Sequence, residues 1–416
     1  MIKYLFFIFA VILSSALYGC VDDATVGSTY LTATQVESSP EAQMALLRGV
    51  ASHMTSCNSN GANCDAGYPG MMYLRECYGE DFPVSNDAYN YYFHDENVNS
   101  VTYRGYYVMR FYYSLINNCN NVIGSINAET ASAASLNNLG IALTYRSLAY
   151  LDLARFMEYQ PTGYESIDNE AKTQWNCMKL TVSIVTPNMT PEQLKNNPRV
   201  PFYTMYRFIL KDLNDAEQYL LKYTPTSAVY PNINVVYGMK ARFWLELASR
   251  FDAMPEDLGE QLKHENDGDG YAQLGITSAK ACYKKAADYA ELAKKNYIPM
   301  TQEQYQNPST GFNTIADNSW MWIMRNSSKD EVQDLYYYYS FLGQMVSEPT
   351  WGMAQYGGLF RCISNRLYNL MDANDWRRYC WVSEEVAGSD EIPEGYRSNM
   401  TKEQWKTFPA DANLKF

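Results

Sequence analysis

Apolar positions recur every three or four residues in five long stretches of the chain, the spacing of one face of an α-helix. Residues 103–126 carry Tyr106, Met109, Tyr113, Ile116, Cys119 and Ile123. Residues 131–159 carry Leu139, Ala142, Leu143, Tyr145, Ala149, Leu153 and Phe156, and Pro161-Thr162-Gly163 stops the run. The stretch 204–223 turns Tyr206, Ile209, Leu213, Ala216 and Leu220 inward, and 234–251 turns Tyr237, Ala241, Trp244, Leu245 and Ala248. The clearest repeat is 277–296, with Ala279, Cys282, Tyr283, Ala286, Ala290, Leu292 and Ala293. A further helix opens at Ser38-Ser39-Pro40-Glu41, an N-cap followed by proline in the first turn, and continues through Met44, Leu46 and Leu47. Residues 58–70 read as a loop, 160–200 as a polar, proline-bearing excursion outside the core, and 264–270 as an acidic glycine-rich turn. Beyond about Tyr297 no long helical period survives. Together these predict an all-α fold. The alanine-rich stretches 234–251 and 277–296 look like tetratricopeptide-type hairpins, in which small residues seat a neighbour's aromatic rings. No strict repeat period is visible, so the hairpins are degenerate. The reading is one domain over 41–416, a helical scaffold over about 41–296 followed by a loop-rich, irregular part over about 297–416.

The N-terminus follows a different pattern. Met1-Ile2-Lys3 precedes an apolar run from Tyr4 to Ala16, then Leu17-Tyr18-Gly19-Cys20. One charge followed by about a dozen apolar residues reads as a secretory signal over 1–19, too short for the roughly 20 residues of a membrane span. Gly19 before Cys20 resembles a bacterial lipobox, which makes Cys20 the lipidated residue and 20–40 a polar tether. Val21-Asp22-Asp23 resembles the acidic export signal of surface-exposed outer-membrane lipoproteins.

Composition narrows the function. Among 416 residues, 33 basic side chains face 46 acidic ones, a formal charge of −13. That argues against nucleic acid and against docking on an anionic membrane through a basic patch. Only His53, His94 and His264 are present, and no C-x-x-C occurs, so no metal site or cofactor is predicted. Cys57 and Cys64 flank a short loop and form the most plausible disulfide, whereas Cys119 and Cys282 sit in helical patterns as small apolar groups. Asp267-Gly268-Asp269-Gly270 lacks the spaced ligands and closing glutamate of an EF-hand and reads as a solvated turn. No G-x-S-x-G, H-E-x-x-H, P-loop or G-x-G-x-x-G is found, so nothing favours an enzyme. The unusual count is 37 Tyr, beside 8 Trp and 16 Phe. Tyrosine combines an apolar face with a polar tip, which suits wet stacking surfaces.

An ordered set of segments carries a resemblance. The lipobox is followed by Tyr30-Leu31-Thr32, Asn117-Asn118-Cys119-Asn120, Tyr145-Arg146-Ser147-Leu148-Ala149-Tyr150, Ile209-Leu210-Lys211-Asp212-Leu213 with Ala216, and Lys240-Ala241-Arg242-Phe243. Residues 367–378, with Asp375 and Arg377, resemble a later Asp-x-Arg segment. This order is similar to the SusD/RagB family of starch-utilisation-type outer-membrane lipoproteins, over roughly 20–416. Two departures stand out. Arg146-Ser147 replaces the family's Arg-Ala, and Asn413-Leu414-Lys415-Phe416 falls where family members continue, so a truncated member is expected. The resemblance implies a lipid-anchored protein on the cell outer membrane that binds an oligosaccharide or polysaccharide, or in some members a peptide. It implies a SusC-type TonB-dependent transporter as partner and no cleavage of the glycan.

A sugar ring offers an apolar face of C–H groups and a rim of hydroxyls, so its site needs exposed aromatic rings beside amide, carboxylate or arginine groups. Two loop regions have that composition. The first supplies Asp87, Tyr89 and Tyr91. The second, 320–356, supplies Arg325, Tyr336, Tyr337, Trp351 and Tyr356. Trp320 and Trp322 alternate with Met321 and Ile323 as in a strand, which favours the core for them over a ligand. Tyr145-Arg146 and Lys211-Asp212 read as helix faces and ion pairs. A helical-repeat scaffold that binds protein remains the alternative, although it leaves the lipobox and the tyrosine-rich loops unaccounted for.

Overall fold

The computed structural model describes residues 33–56, 67–77, 79, 103–307, 318–325, 363–381 and 414–415. Cys20, Cys57, Cys64, Asp87, Tyr89, Tyr91, Tyr336, Tyr337, Trp351 and Tyr356 lie outside them. The described chain is almost entirely helical: α1 (Ala33–Ser38), α2 (Pro40–Thr55), α3 (Gly67–Cys77), α4 (Tyr103–Gly124), α5 (Ala133–Met157), α6 (Glu165–Thr173), α7 (Pro191–Lys195), α8 (Phe202–Leu220), α9 (Ile233–Ala253), α10 (Pro255–Lys263), α11 (Ala279–Ala293), α12 (Gln302–Gln306) and α13 (Asn365–Leu370). A 3-10 turn, Trp376–Cys380, follows. One two-stranded antiparallel pairing sets Ile363 opposite Lys415 and Ser364 opposite Leu414. No described helix is long and apolar enough to cross a membrane.

Each of the five periodic stretches is a helix, with ends within a few residues of those predicted. Their caps are visible in the sequence. Ser39 accepts from the Ala42 amide, Ser132 from Ser135, Asn232 from Val235 and Ser278 from Ala281, at 3.1–3.2 Å. Each satisfies one of the four unpaired N–H groups that begin a helix, a contribution of about 1 kcal/mol.

Helix α5 is the spine. It packs against α2, α4, α8 and α9, while α11 packs on α9. From Asn138 to Ala154 every α5 residue is buried, the signature of a helix enclosed on all sides rather than lying on a surface. Gly140 permits one close contact: a Cβ there would stand 2.8 Å from Leu220 Cγ, at the end of α8. The small polar residues of the spine satisfy themselves, Thr144 Oγ1 donating to the Gly140 carbonyl and Ser147 Oγ to that of Leu143, both at 2.8 Å.

Three buried ionic clamps tie the neighbours to this spine. Arg146 on α5 donates Nε and Nη2 to the two Asp212 oxygens on α8, at 2.7 and 2.8 Å. Its Nη1 donates to Asn120 Oδ1 on α4 at 2.7 Å, and its guanidinium lies 5.1 Å from the Phe208 ring centroid. Burial works against the charge on Arg146, but Asp212 outweighs it and holds the guanidinium protonated. Asp152, one turn and a half further along α5, pairs with Arg242 of α9 and accepts from Tyr112 Oη of α4 at 3.1 Å. Arg250 of α9 forks onto Glu158 with two 2.7 Å bonds, donates Nε to Asp257 of α10 at 2.7 Å, and lies 3.8 Å over Phe202.

Several expectations are corrected. The tether does not extend to residue 40, because α1 folds onto α2, with buried Gln43 donating to the Val36 carbonyl at 3.1 Å. The loop over 58–70 ends earlier, since α3 begins at Gly67. The excursion 160–200 is not outside the core: Val182 and Ile184 are buried. Tyr113 Oη donates to the Ser183 carbonyl at 2.8 Å, Asn120 Nδ2 to that of Val185 at 2.9 Å, and the Val185 amide to Tyr150 Oη at 2.7 Å. Tyr106, Leu245, Tyr283 and Leu292, predicted to face inward, are exposed, and on α9 Phe243 and Leu247 fill the core instead. Cys119 and Cys282 are buried free thiols, as expected, and burial pushes the Cys282 thiol up to about 11.

Removing one partner of a buried ion pair strands the other charge, which costs about 3–5 kcal/mol, whereas an apolar pair of similar volume is often neutral. Arg146→Ala is therefore expected to lower the chemical-denaturation free energy by about that amount, and Arg146→Met with Asp212→Leu to recover most of it. Equal losses in both variants would show that packing rather than charge pairing governs the clamp.

Candidate ligand-binding site

Residues 318–325 include the start of the second tyrosine- and tryptophan-rich region, and they are tied to the helical body. The Ile298 amide donates to the Asn318 carbonyl at 3.3 Å, and the Ile323 amide to that of Ala228 at 3.0 Å. Trp322 Nε1 and Tyr145 Oη both donate to the Val229 carbonyl, at 2.9 and 2.8 Å. The two rings meet edge to face, with centroids 5.0 Å apart. The segment thus lies across the turn between α8 and α9. It forms no strand, so the alternation of Trp320 and Trp322 reflects single contacts rather than a sheet ladder.

Two asparagines lock this corner. Asn232 caps α9 and donates Nδ2 to Tyr297 Oη at 3.0 Å. Asn234 Nδ2 lies 3.0–3.2 Å from the carbonyls of Leu292, Ala293 and Lys295 and so closes the end of α11. Carbonyls at a helix C-terminus lack the full set of intrahelical partners, so a side-chain donor here is favourable. Tyr223 and Tyr230 are half-buried in the same turn, and burial raises the Tyr223 phenol above its ordinary value.

The predicted residues divide clearly. Trp322 is a wedge whose ring is covered by Tyr145, so it serves the fold. Arg325 is exposed at the outer end of the segment, beside Met324, which is 41% exposed. Of the eight residues proposed to hold ligand, only Arg325 lies among the described residues. The Asp-x-Arg segment is local: Asp375 accepts from the Arg377 amide at 3.0 Å and from its Nη2 at 2.6 Å. Those bonds hold the Asp375 carboxyl at about 2. The Asp267–Gly270 turn is occupied by a side chain rather than solvated only. Arg207, 2% exposed, forks onto Asp269 at 2.8 and 2.9 Å, leaving no pair of carboxylates for a cation. No group of three metal-ligating side chains occurs among the described residues. Exposed aromatics missed from sequence are Tyr164, 70% exposed, and Trp175, 63% exposed, whose Nε1 donates to Glu170 Oε1 at 3.2 Å. The available signal was a tryptophan in the wholly polar run Lys172-Thr173-Gln174-Trp175-Asn176.

Deleting the Trp322 ring removes a partly buried wedge and its hydrogen bond. Trp322→Ala is expected to cost about 3 kcal/mol in urea unfolding, while exposed Arg325→Ala stays within about 0.5 kcal/mol of the parent. Equal effects would place Trp322 outside the core.

No family model matches the chain, and no curated protein is similar to it in sequence. Solved structures are similar in fold. A SusD-like carbohydrate binding protein from Bacteroides vulgatus superposes with a TM-score of 0.56 at 19% identity, covering 82% of this chain and 60% of its own. A SusD superfamily protein from Parabacteroides distasonis gives 0.48 at 15% identity, covering 84% of this chain and 62% of its own. The chain therefore spans about 60% of the length of these structures. The first similarity, together with the helical hairpins around α5, identifies the fold as SusD-like.

Proposed function

We propose that the protein is a glycan-binding surface lipoprotein, tethered through Cys20 to the outer membrane, that holds an oligosaccharide or polysaccharide for a SusC-type TonB-dependent transporter without cutting it. The observation that carries this reading is the fold shared over 82% of the chain with a SusD-like carbohydrate binding protein. The residues add support. The corner built on Trp322, Asn232 and Asn234 anchors the start of a segment holding Arg325, Tyr336, Tyr337, Trp351 and Tyr356. Rings in that segment would stack on sugar C–H faces, and Arg325 would donate to hydroxyls. Asp87, Tyr89 and Tyr91 would supply a second edge.

Affinity electrophoresis through gels containing starch, mucin glycan or plant polysaccharide tests the binding step. At least one glycan is expected to retard the protein, and Trp351→Ala to weaken that retention about tenfold or more, the scale of a lost stacking platform at about 1.4 kcal/mol per tenfold. Retention unchanged in the variant would remove Trp351 from the site, and release of reducing ends would replace a binding role by an enzymatic one. In cells, labelled palmitate is expected to enter the parent chain and not Cys20→Ser; equal labelling would place the anchor elsewhere.

A further inference from the structure

A cleft of about 410 Å³ opens between the last turns of α4, helix α1 and residues 185–194. Its size falls within the ~300–1,000 Å³ of small-molecule sites. Amides and apolar side chains share the lining: Asn117, Asn120 and Asn121 from α4, with Thr186 and Asn188 beside Val36, Leu46 and Leu194. Asn117 and Asn121 are exposed one helical turn apart, and neither side chain hydrogen-bonds to another described residue. Asn120 forms the floor, held by Arg146 at 2.7 Å and by the Val185 carbonyl at 2.9 Å. The wall is shaped by backbone. Asn188 sits at a φ of 65°, in the left-handed region, and Gly124 lets Pro187 approach so closely that a Cβ would meet its Cβ at 3.0 Å.

The chemistry of this lining selects a ligand. No lysine or arginine faces the cleft, and Glu37 is its one charged side chain, so phosphate, sulfate and carboxylate ligands are disfavoured. A single carboxylate is too few for a divalent cation, which takes several oxygen ligands. Each free amide offers two donors and one acceptor without charge, and two at one turn's spacing can engage neighbouring hydroxyls that both give and accept hydrogen bonds. Pro187 and Met189 supply the apolar surface for C–H groups. A second hollow of about 760 Å³ shares Glu37, Gly124 and Ser125 with the first and continues under α1 and α2, so the groove is longer than one sugar ring needs.

We infer that this cleft is a saccharide-binding site, which takes a short neutral oligosaccharide through Asn117 and Asn121. The cleft's own chemistry sets the class, neutral and hydroxylated. The choice of saccharides within that class rests on the function proposed above. Isothermal calorimetry of the purified protein with maltotriose, xylotriose and chitotriose tests it. At least one trisaccharide is expected to bind. Asn117→Ala with Asn121→Ala is expected to weaken it at least tenfold without moving the unfolding midpoint. Asn117→Asp with Asn121→Asp removes the donors at the same positions and is expected to give the same loss, should the alanine pair disturb α4. Trisaccharide binding unaltered in both asparagine variants overturns the inference and leaves the proposed function standing. Retention of polysaccharide with no trisaccharide binding also overturns it alone. Absence of both overturns the two together.

Discussion

The Arg146–Asp212 pair, with Asn120 as its third member, is the constraint on which the rest of the helical body depends. Taking two charges out of water is expensive, and attraction in the interior offsets that only when geometry is good and the remaining donors are filled. Here the fork is bidentate, Nη1 reaches Asn120, and Phe208 lies along the guanidinium. Three helices must therefore hold one register together. A slide of α8 along α5 by a single turn would strand Asp212 against apolar side chains. Hydrophobic packing is indifferent to small slides; this pair is not.

The same device recurs along α5 and explains how the layers are ordered. Asp152 reaches α9 through Arg242 and α4 through Tyr112, and Glu158 reaches α9 through Arg250, which in turn holds α10 through Asp257. The spine thus presents a carboxylate or guanidinium to each neighbour at successive levels. Apolar contact supplies most of the driving force for burial, and the clamps choose which packing is used. Asn120 couples this frame to the surface, because its second bond fixes Val185 and so the wall of the amide-lined cleft.

Periodicity disclosed the long helices because each buries a face whose spacing survives in the sequence. The inward phase was less secure. Leu245 and Leu292 fit a three-to-four spacing yet are exposed, since α9 and α11 carry apolar residues around much of their circumference and packing on a neighbour, not spacing, chooses the face. The 160–200 excursion was opaque for another reason. Its buried members, Val182 and Ile184, stand in extended chain whose polar groups are met by Tyr113, Asn120 and Tyr150 from remote helices. Such long-range hydrogen bonds leave no local pattern. Tyr145-Arg146 and Lys211-Asp212 drew notice as a resemblance and as ion-pair candidates, and Arg146 and Asp212 do pair; that they pair with each other across α5 and α8 is a fact of packing. Of the candidate site, only Arg325 and the neighbouring Trp320 and Trp322 could be placed, and for Trp322 the covering ring of Tyr145 decides in favour of the core.

A helical body held this rigidly has a consequence for binding. Loops tolerate sequence change that packed helices do not, and a rigid scaffold is what allows loops to carry recognition. The corner at Asn232, Asn234 and Trp322 joins three chain segments through side-chain hydrogen bonds. Under the proposed function, ligand contacts beyond Arg325 would start from a base already fixed to the helical body, which would lower the ordering cost of binding. The cleft beside α4 is tied to the same clamp, since Arg146 holds Asn120 and Asn120 holds the Val185 carbonyl. One buried guanidinium therefore underlies both the register of α5 against α8 and the placement of Asn120 at the floor of the cleft.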